Sequence, residues 1–395
     1  MERSSGEGSI MSVPKALQMP IGLKVTTVGF ITFWCVIAAF PIFWIAVMSF
    51  KEPLDSFASN PLSVIFGPST RESGKGLSVF DIIIGLSFIY FIYRFAIYHL
   101  PKWVSKYSPF NLIVIGWLLG ALFVALVVVL VFGVLFPPIL AFVNGFTGFL
   151  GTPIIGFTTE HYLSVWAENE FYRNFINSII VTLGVVTISL SIGTLAGYGL
   201  ARSGSDIAFW ILIGALIFRA LPHSVLVSGY LPVFVNSAEY LRPILGDQAP
   251  TFYGQPLAVI MVLVAINQPF TIWMLRSFFQ NIPKELDESA RVDGCTHFKA
   301  FRWVIMPIMW PGVITTGLFS FLLAYNDFLV TSLLLDAQNQ TMVPAIAGYF
   351  NRETTTTDQV EAVAAAVSIT APLFLLVMVF QRQIVSGLTA GAVKG

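Results

Sequence analysis

Long apolar runs separated by short polar stretches make up most of the chain. At about 20 apolar residues for one bilayer crossing, eight runs qualify as helical spans. They are Val25–Ser49, Val79–Tyr98, Asn111–Phe136, Phe175–Ala201, Ile207–Val227 or slightly beyond, Leu257–Leu275, Gly312–Leu335 and Glu361–Phe380. Pro41, Pro222, Pro269 and Pro372 fall within or at the edge of these runs, where neighbouring helices re-satisfy the backbone groups a proline frees. No Asp, Glu, Lys or Arg occurs between Lys106 and Glu160, a stretch too long for one crossing. Pro137-Pro138 breaks it, and Gly145, Gly148, Gly151, Pro153 and Gly156 interrupt its second half. Residues 139–157 therefore read as a re-entrant or interfacial stretch and not as a ninth span.

Composition agrees with the pattern. Of 395 residues, 56% are apolar and only 11% charged, against roughly 45–50% and about 25% in soluble domains. The 21 basic and 21 acidic residues cancel. Disordered proteins, cationic nucleic-acid binders and disulfide scaffolds are excluded. Cys35 and Cys295 lie in unlike surroundings and read as unpaired thiols; no His/Cys cluster suggests a metal site. The first apolar run is longer than a signal-peptide core and lacks a small-residue cleavage site, so it reads as an uncleaved first span.

The neutral total hides an asymmetry. With the N-terminus inside and eight spans, the inner segments hold 14 Lys/Arg and seven Asp/Glu, the outer ones six and 13. That satisfies the positive-inside rule. Only Arg219 and Asp327 remain within the membrane. A ninth span would export residues 276–302, which carry five Lys/Arg, so charge decides for eight.

Residues 276–311 read RSFFQNIPKELDESARVDGCTHFKAFRWVIMPIMWP. Pro283 suits a first helical turn, and Glu285, Asp287 and Glu288 lie where the positive helix end favours anions. Arg291 falls near the other end, and Gly294 can supply a left-handed cap. Ile282, Leu286 and Ala290 recur at i, i+4, i+8 as one apolar face. Phe298, Phe301 and Ile305 continue as a second stripe running into Pro307 and Pro311. The expectation is a short amphipathic helix, a glycine turn, and a second helix feeding a span. Two placements suit it: flat on the headgroups, or with its apolar stripe in a partner's groove.

The segment resembles the EAA loop of permease subunits of ATP-binding-cassette importers: E-A-A, three residues, G, then a hydrophobic run with L-P. Glu288, Ser289 and Ala290 hold the triplet, Asp293-Gly294 the turn, and Met306-Pro307 the proline step. Ser289 and Cys295 replace alanines, and both are small. Residues 174–202 (NFINSIIVTLGVVTISLSIGTLAGYGLAR), Tyr325-Asn326-Asp327-Phe328, and the ending SGLTAGAVKG are similar to the maltose-type carbohydrate permeases. The likeness covers about 160–395 together with the first span and Ser49-Phe50-Lys51. Residues 55–158 lie outside the common pattern, and enlarged α-glucoside-type permeases are similar in this respect.

The resemblance implies an all-α polytopic membrane protein of about eight helices, six forming a type I importer core plus an inserted two-helix hairpin. It implies a cytoplasmic tail at 1–24, a first core span at 25–50, an insertion at 55–158, a core at 160–382 holding the loop at 276–311, and a cytoplasmic tail at 383–395. Implied partners are a second homologous permease, an ATPase dimer, a periplasmic sugar-binding protein and membrane lipid, with no nucleic acid. The implied location is the bacterial inner membrane, with both termini cytoplasmic. No GxxxxGK[ST] occurs, so the chain has no P-loop; it is expected to be no enzyme and to bind no cofactor itself, ATP and Mg being used by the ATPase partners. In the family the EAA helix couples to the ATPase, which assigns Leu286, Glu288, Ser289, Ala290, Asp293, Gly294 and Pro307 that role. Asn326, Asp327 and Arg219 are the candidates for pathway or interhelical polar contacts. The competing class, an ion-coupled secondary transporter, asks for two similar halves with matching interrupted helices, which the sequence does not display.

Overall fold

The computed structural model describes residues 20–94, 138, 152–221, 223–351 and 355–392. The span expected at Asn111–Phe136 and most of the 139–157 stretch lie outside the described residues. Apart from one two-stranded antiparallel sheet, the named elements are helical.

Four helices among the described residues are long and apolar enough to cross a membrane: Gly22–Met48, Phe171–Ser203, Pro256–Gln280 and His297–Tyr325. The first, α1 (Ile21–Met48), exposes apolar side chains along most of its length, as a lipid-facing span must. A fold of short helices follows it: α2 (Pro53–Ser56), α3 (Pro61–Phe66) and α4 (Pro68–Glu72). Strand β1 (Gly76–Leu77) then pairs antiparallel with β2 (Ile155–Gly156). Helix α5 (Val79–Arg94) starts from a capping box: Ser78 N–H donates to Asp81 Oδ2 at 2.6 Å and Asp81 N–H to Ser78 Oγ at 3.3 Å.

These pieces form a small cap where the first span ends. Lys51 is buried, and its Nζ donates to the Gly156 carbonyl, while His161 Nε2 lies 3.0 Å from the Lys51 carbonyl. The Asp55 carboxylate accepts from Thr70 N–H at 2.6 Å, Thr70 Oγ1 at 2.7 Å and Ser69 N–H at 3.2 Å. Burial pushes that carboxyl up, but the Thr70 and Ser69 bonds outweigh it and hold it below its ordinary value. Burial lowers His161, against the opposing pull of the Lys51 carbonyl. The two halves of the cap come from either end of the expected insertion, 55–158, so that segment closes on itself at this face.

Helix α6 (Glu160–Leu163) and the wider turn Ser164–Glu168 lead into α7 (Phe171–Ser203). Then come α8 (Asp206–Arg219), α9 (His223–Val235), α10 (Ser237–Leu245) and α11 (Pro256–Gln280). The run expected as one span from Ile207 is thus two helices, broken after Arg219. The residue before a proline avoids the helical region, and Leu221 precedes Pro222. The expected span Gly312–Leu335 also differs. Its helix, α14 (Met306–Tyr325), begins six residues earlier and stops at Asn326, and α15 (Leu329–Leu334) restarts the chain. Helix α16 (Met342–Asn351) precedes α17 (Thr356–Ala392), whose continuous helix takes in most of the expected C-terminal tail.

The core lies among α7, α11, α14 and α15. Val181 and Val185 meet Val259, Leu263 and Ile266, with Ala324, Val330 and Leu334 closing the cluster. Apolar packing alone does not orient helices in lipid, where small residues and interhelical hydrogen bonds contribute. Buried Asn267 of α11 donates to Ser320 Oγ of α14 at 2.7 Å. Each of the five ion pairs among the described residues joins two groups assigned to the same side by the eight-span reading: Lys75–Glu52, Lys75–Glu160, Arg173–Glu170, Arg202–Asp287 and Arg242–Asp247.

Candidate functional site

The 276–311 segment forms the helix–turn–helix its sequence predicts. Helix α12 (Glu285–Val292) carries Glu285, Asp287 and Glu288 in its first turn and Arg291 in its last. It ends in a Schellman motif: Cys295 N–H donates to the Ala290 carbonyl and Gly294 N–H to that of Arg291, both at 3.0 Å. Gly294 holds φ +87°, a conformation that disfavours side chains with a Cβ. Thr296 then caps α13 (His297–Ala300), its Oγ1 accepting from Lys299 N–H at 3.3 Å. A π-helical turn at Phe301–Ile305 joins α13 to α14.

Burial corrects one expectation. The stripe Ile282, Leu286 and Ala290 does not stand free for a partner's groove. Ile282 and Ala290 are buried, and Leu286 packs with Ile282 on Phe279, Phe301 and Ile305 of this same chain. The chain's own span ends are the nearest apolar surface, so they take the stripe. The second stripe divides as well. Phe301 and Ile305 are buried, but Phe298 is 62% exposed, because the π-turn alters the angular spacing that would keep all three on one face.

What the loop offers outward is therefore its other side. Glu288, Ser289, Arg291, Asp293 and Gly294 are exposed, with Val292 87%, Phe298 62% and Trp303 70% exposed among them. Pro307 is exposed in the first turn of α14. Three large apolar side chains beside alternating charges, on a polar segment, form a surface fit for a protein partner.

The loop is pinned to α7. Arg202 Nε donates to Asp287 Oδ2 at 2.7 Å, Tyr198 Oη donates to Asp287 Oδ1 at 2.7 Å, and Arg202 Nη1 reaches the carbonyls of Phe279 at 3.3 Å and Ile282 at 3.2 Å. The ionic side chains are only 16% and 14% exposed. Sequence reasoning placed Arg202 and Asp287 on one face but did not pair them. A usable signal was present: Tyr198 and Arg202, four apart at a span end, project from one helix face. Beside the pin lies a cavity of about 690 Å3 lined by Arg202, Ser205, Phe209, Arg276, Gln280 and Glu285, with the Arg276 guanidinium 4.8 Å above the Phe209 ring. Arg202 thereby ties α12 to α7 and to the end of α11.

The intramembrane candidates separate. Asp327 Oδ1 accepts from Thr331 N–H at 3.0 Å, capping α15, and Asn326 Nδ2 donates to the Leu322 carbonyl one turn back at 3.1 Å. These two shape the helix break where the chain turns. Arg219 lies elsewhere, its guanidinium 4.6 Å above the Phe270 ring of α11.

Comparison with known proteins follows the same line. Residues 189–389 match the family described as binding-protein-dependent transport system inner membrane component. The permease protein DasC of the diacetylchitobiose uptake system of Streptomyces coelicolor is 35% identical over 60% of this chain and 81% of its own length. The trehalose/maltose transport system permease protein MalG of Thermococcus litoralis is 32% identical over 62% of this chain and 86% of its own. A bacterial ABC transporter involved in the import of the acidic polysaccharide alginate aligns over 70% of this chain and 98% of its own, at 15% identity and a TM-score of 0.46, a likeness too loose to carry an argument. The match over the loop, the core helices and the C-terminal helix makes this chain a member of the family of binding-protein-dependent transport system inner membrane components.

Proposed function

We propose that the chain is one permease half of an ATP-driven saccharide importer, and that an ATPase subunit docks on the outward side of α12 and α13. It works with a second homologous permease, a pair of ATPase subunits that use ATP and Mg, and an external solute-binding protein. The permease itself performs no hydrolysis. The observation that carries the reading is the two-sided loop. One side of α12 is buried on the spans and pinned through Asp287, and the other presents Glu288, Val292 and Phe298 to a partner. A helix held this way moves as a rigid body with α7 and α11, so closure of a docked ATPase pair would swing the spans between two states. The charge asymmetry supports a cytoplasmic loop and cytoplasmic termini, and the names of the relatives support a saccharide as cargo.

Val292→Asp tests the docking surface. Val292 is 87% exposed, so the change leaves packing intact. The variant inserts at the wild-type level but loses solute-stimulated ATP hydrolysis in the purified complex. Unchanged stimulation would remove the docking role, and ion-gradient-driven transport by the lone chain would replace the reading with a secondary transporter.

A further inference from the structure

Arg219 ends α8, and the chain restarts as α9 at His223. Phe270, beneath its guanidinium, meets Phe319 of α14 edge-on at 6.0 Å between ring centres and Trp273 at 6.2 Å; Trp273 is 42% exposed. Depth decides what this cation can do. Phe270 is 10 residues from Gln280 and 14 from Pro256, the two ends of α11. At 1.5 Å per residue the ring lies about 15 Å from one end and about 21 Å from the other. Arg219 is 13 residues from the Asp206 end of α8, about 20 Å by the same rise. Arginine snorkels to the headgroups only from near a span end; from mid-depth it faces the bundle interior or a water-filled path.

Arg219 makes no ion pair among the described residues. The C-terminal end of α8 supplies only a partial negative charge. Arg202 and Arg276 each keep one unpartnered nitrogen sealed from solvent, whereas Arg219 has none sealed, so its donors stay open on the accessible side. The backbone breaks at this level between α8 and α9, beside Arg219, while Pro269, next to Phe270, sits inside the continuous α11 and only withholds one backbone donor. Irregular backbone at membrane depth persists where it is packed in protein or lines a cavity.

We propose that Arg219, its plane set by the Phe270 ring, receives a carboxylate on the transported saccharide, and that the cargo is an acidic, uronate-bearing sugar. This rests on the permease reading given above. The guanidinium fork matches a carboxylate with two parallel N–H···O bonds, and the exposed Trp273 ring offers an apolar face to a sugar ring. The cation stands uncompensated when the path is empty and compensated when cargo arrives, which favours the acid over its neutral counterpart.

The test uses the whole complex in proteoliposomes with its binding protein. The probes are a neutral disaccharide and the same disaccharide with one terminal hydroxymethyl oxidised to a carboxylate, both radiolabelled. Wild-type complex takes up the uronate form. Arg219→Gln lowers the uronate-to-neutral uptake ratio by about tenfold or more, the loss expected for a charge-assisted pair. Arg219→Lys keeps the charge without the fork and lowers the ratio less; should the Gln variant fail to assemble, an unchanged ratio in the Lys variant overturns the proposal. Uptake of the neutral form alone overturns it too. An equal loss for both sugars in the Gln variant assigns Arg219 to an ion pair with the second permease and also overturns it. Absence of any ATP-dependent uptake by wild type is a different result, and refutes the permease reading itself.

Discussion

Arg202→Met is the perturbation that most directly probes how the loop is held. The substitution keeps much of the side-chain volume but leaves the Asp287 carboxylate without its cation at 2.7 Å, in a site where the two groups are 16% and 14% exposed. Removing one member of a fully buried pair costs about 3–5 kcal/mol. The residual exposure and the Tyr198 bond to Asp287 bring the expected cost to about 2–3 kcal/mol, since a hydrogen bond to a charged group retains about 1.5–3 kcal/mol. At about 1.4 kcal/mol per tenfold, the docked loop loses a factor of roughly 30 to 150 in its closing equilibrium. Hydrogen–deuterium exchange over residues 285–300 in the detergent-solubilised complex measures that factor directly. Asp287→Asn is expected to cost less than Arg202→Met, because Asn still accepts from Tyr198. The double variant should cost less than the sum of the two single ones, since the residues share one network. Unchanged exchange in Arg202→Met, or strict additivity in the cycle, would show that the pair does not hold the loop and that apolar packing of Ile282 and Ala290 suffices.

Other outcomes follow from the same geometry. A Cβ at Gly156 would sit 2.2 Å from the Gly67 carbonyl oxygen and 2.7 Å from Thr70 Cβ. Gly156→Ala should therefore cost the cap about 3 kcal/mol or more, read as faster proteolysis within residues 50–77, and wild-type resistance would contradict that packing. Asn267→Leu removes the 2.7 Å bond to Ser320 and should lower stability by about 0.6–1.7 kcal/mol in a denaturation series in detergent micelles; a gain would mean the bond is not stabilising. His161 is lowered from 6.5 in the folded protein by burial. Its contribution is thus present above about pH 6.5 and is lost as pH falls through the lower folded value. Amides near His161 should exchange faster relative to the intrinsic rate as pH drops from 7 to 5, and His161→Phe should flatten that dependence. An equal pH slope in the variant would show that His161 is not the group responsible.

Much of this was legible in one dimension because lipid imposes a single rule on every residue of a span. The expected spans Phe175–Ala201 and Leu257–Leu275 fall inside α7 and α11 with only the ends extended. Gly294 was legible as a cap because the left-handed backbone it adopts selects for glycine. The breaks were harder to read. Asn326 and Asp327 lie in an apolar run whose hydropathy continues across them, and hydropathy does not report that Asp327 caps a new helix. The α8–α9 break failed for the same reason, since prolines within spans are often tolerated.

The sequence by itself determined an all-helical membrane chain and a helix–glycine–helix loop feeding a span, because each depends on composition, period or a local backbone requirement. Only the tertiary structure decided which side of that loop faces outward. Ile282, Leu286 and Ala290 form an apolar stripe in any environment, and whether it meets a partner or the chain's own span ends depends on what lies within reach. Tyr198 and Arg202, more than 80 residues before Asp287, bring the span ends there, and a contact at that separation leaves no periodicity in the sequence.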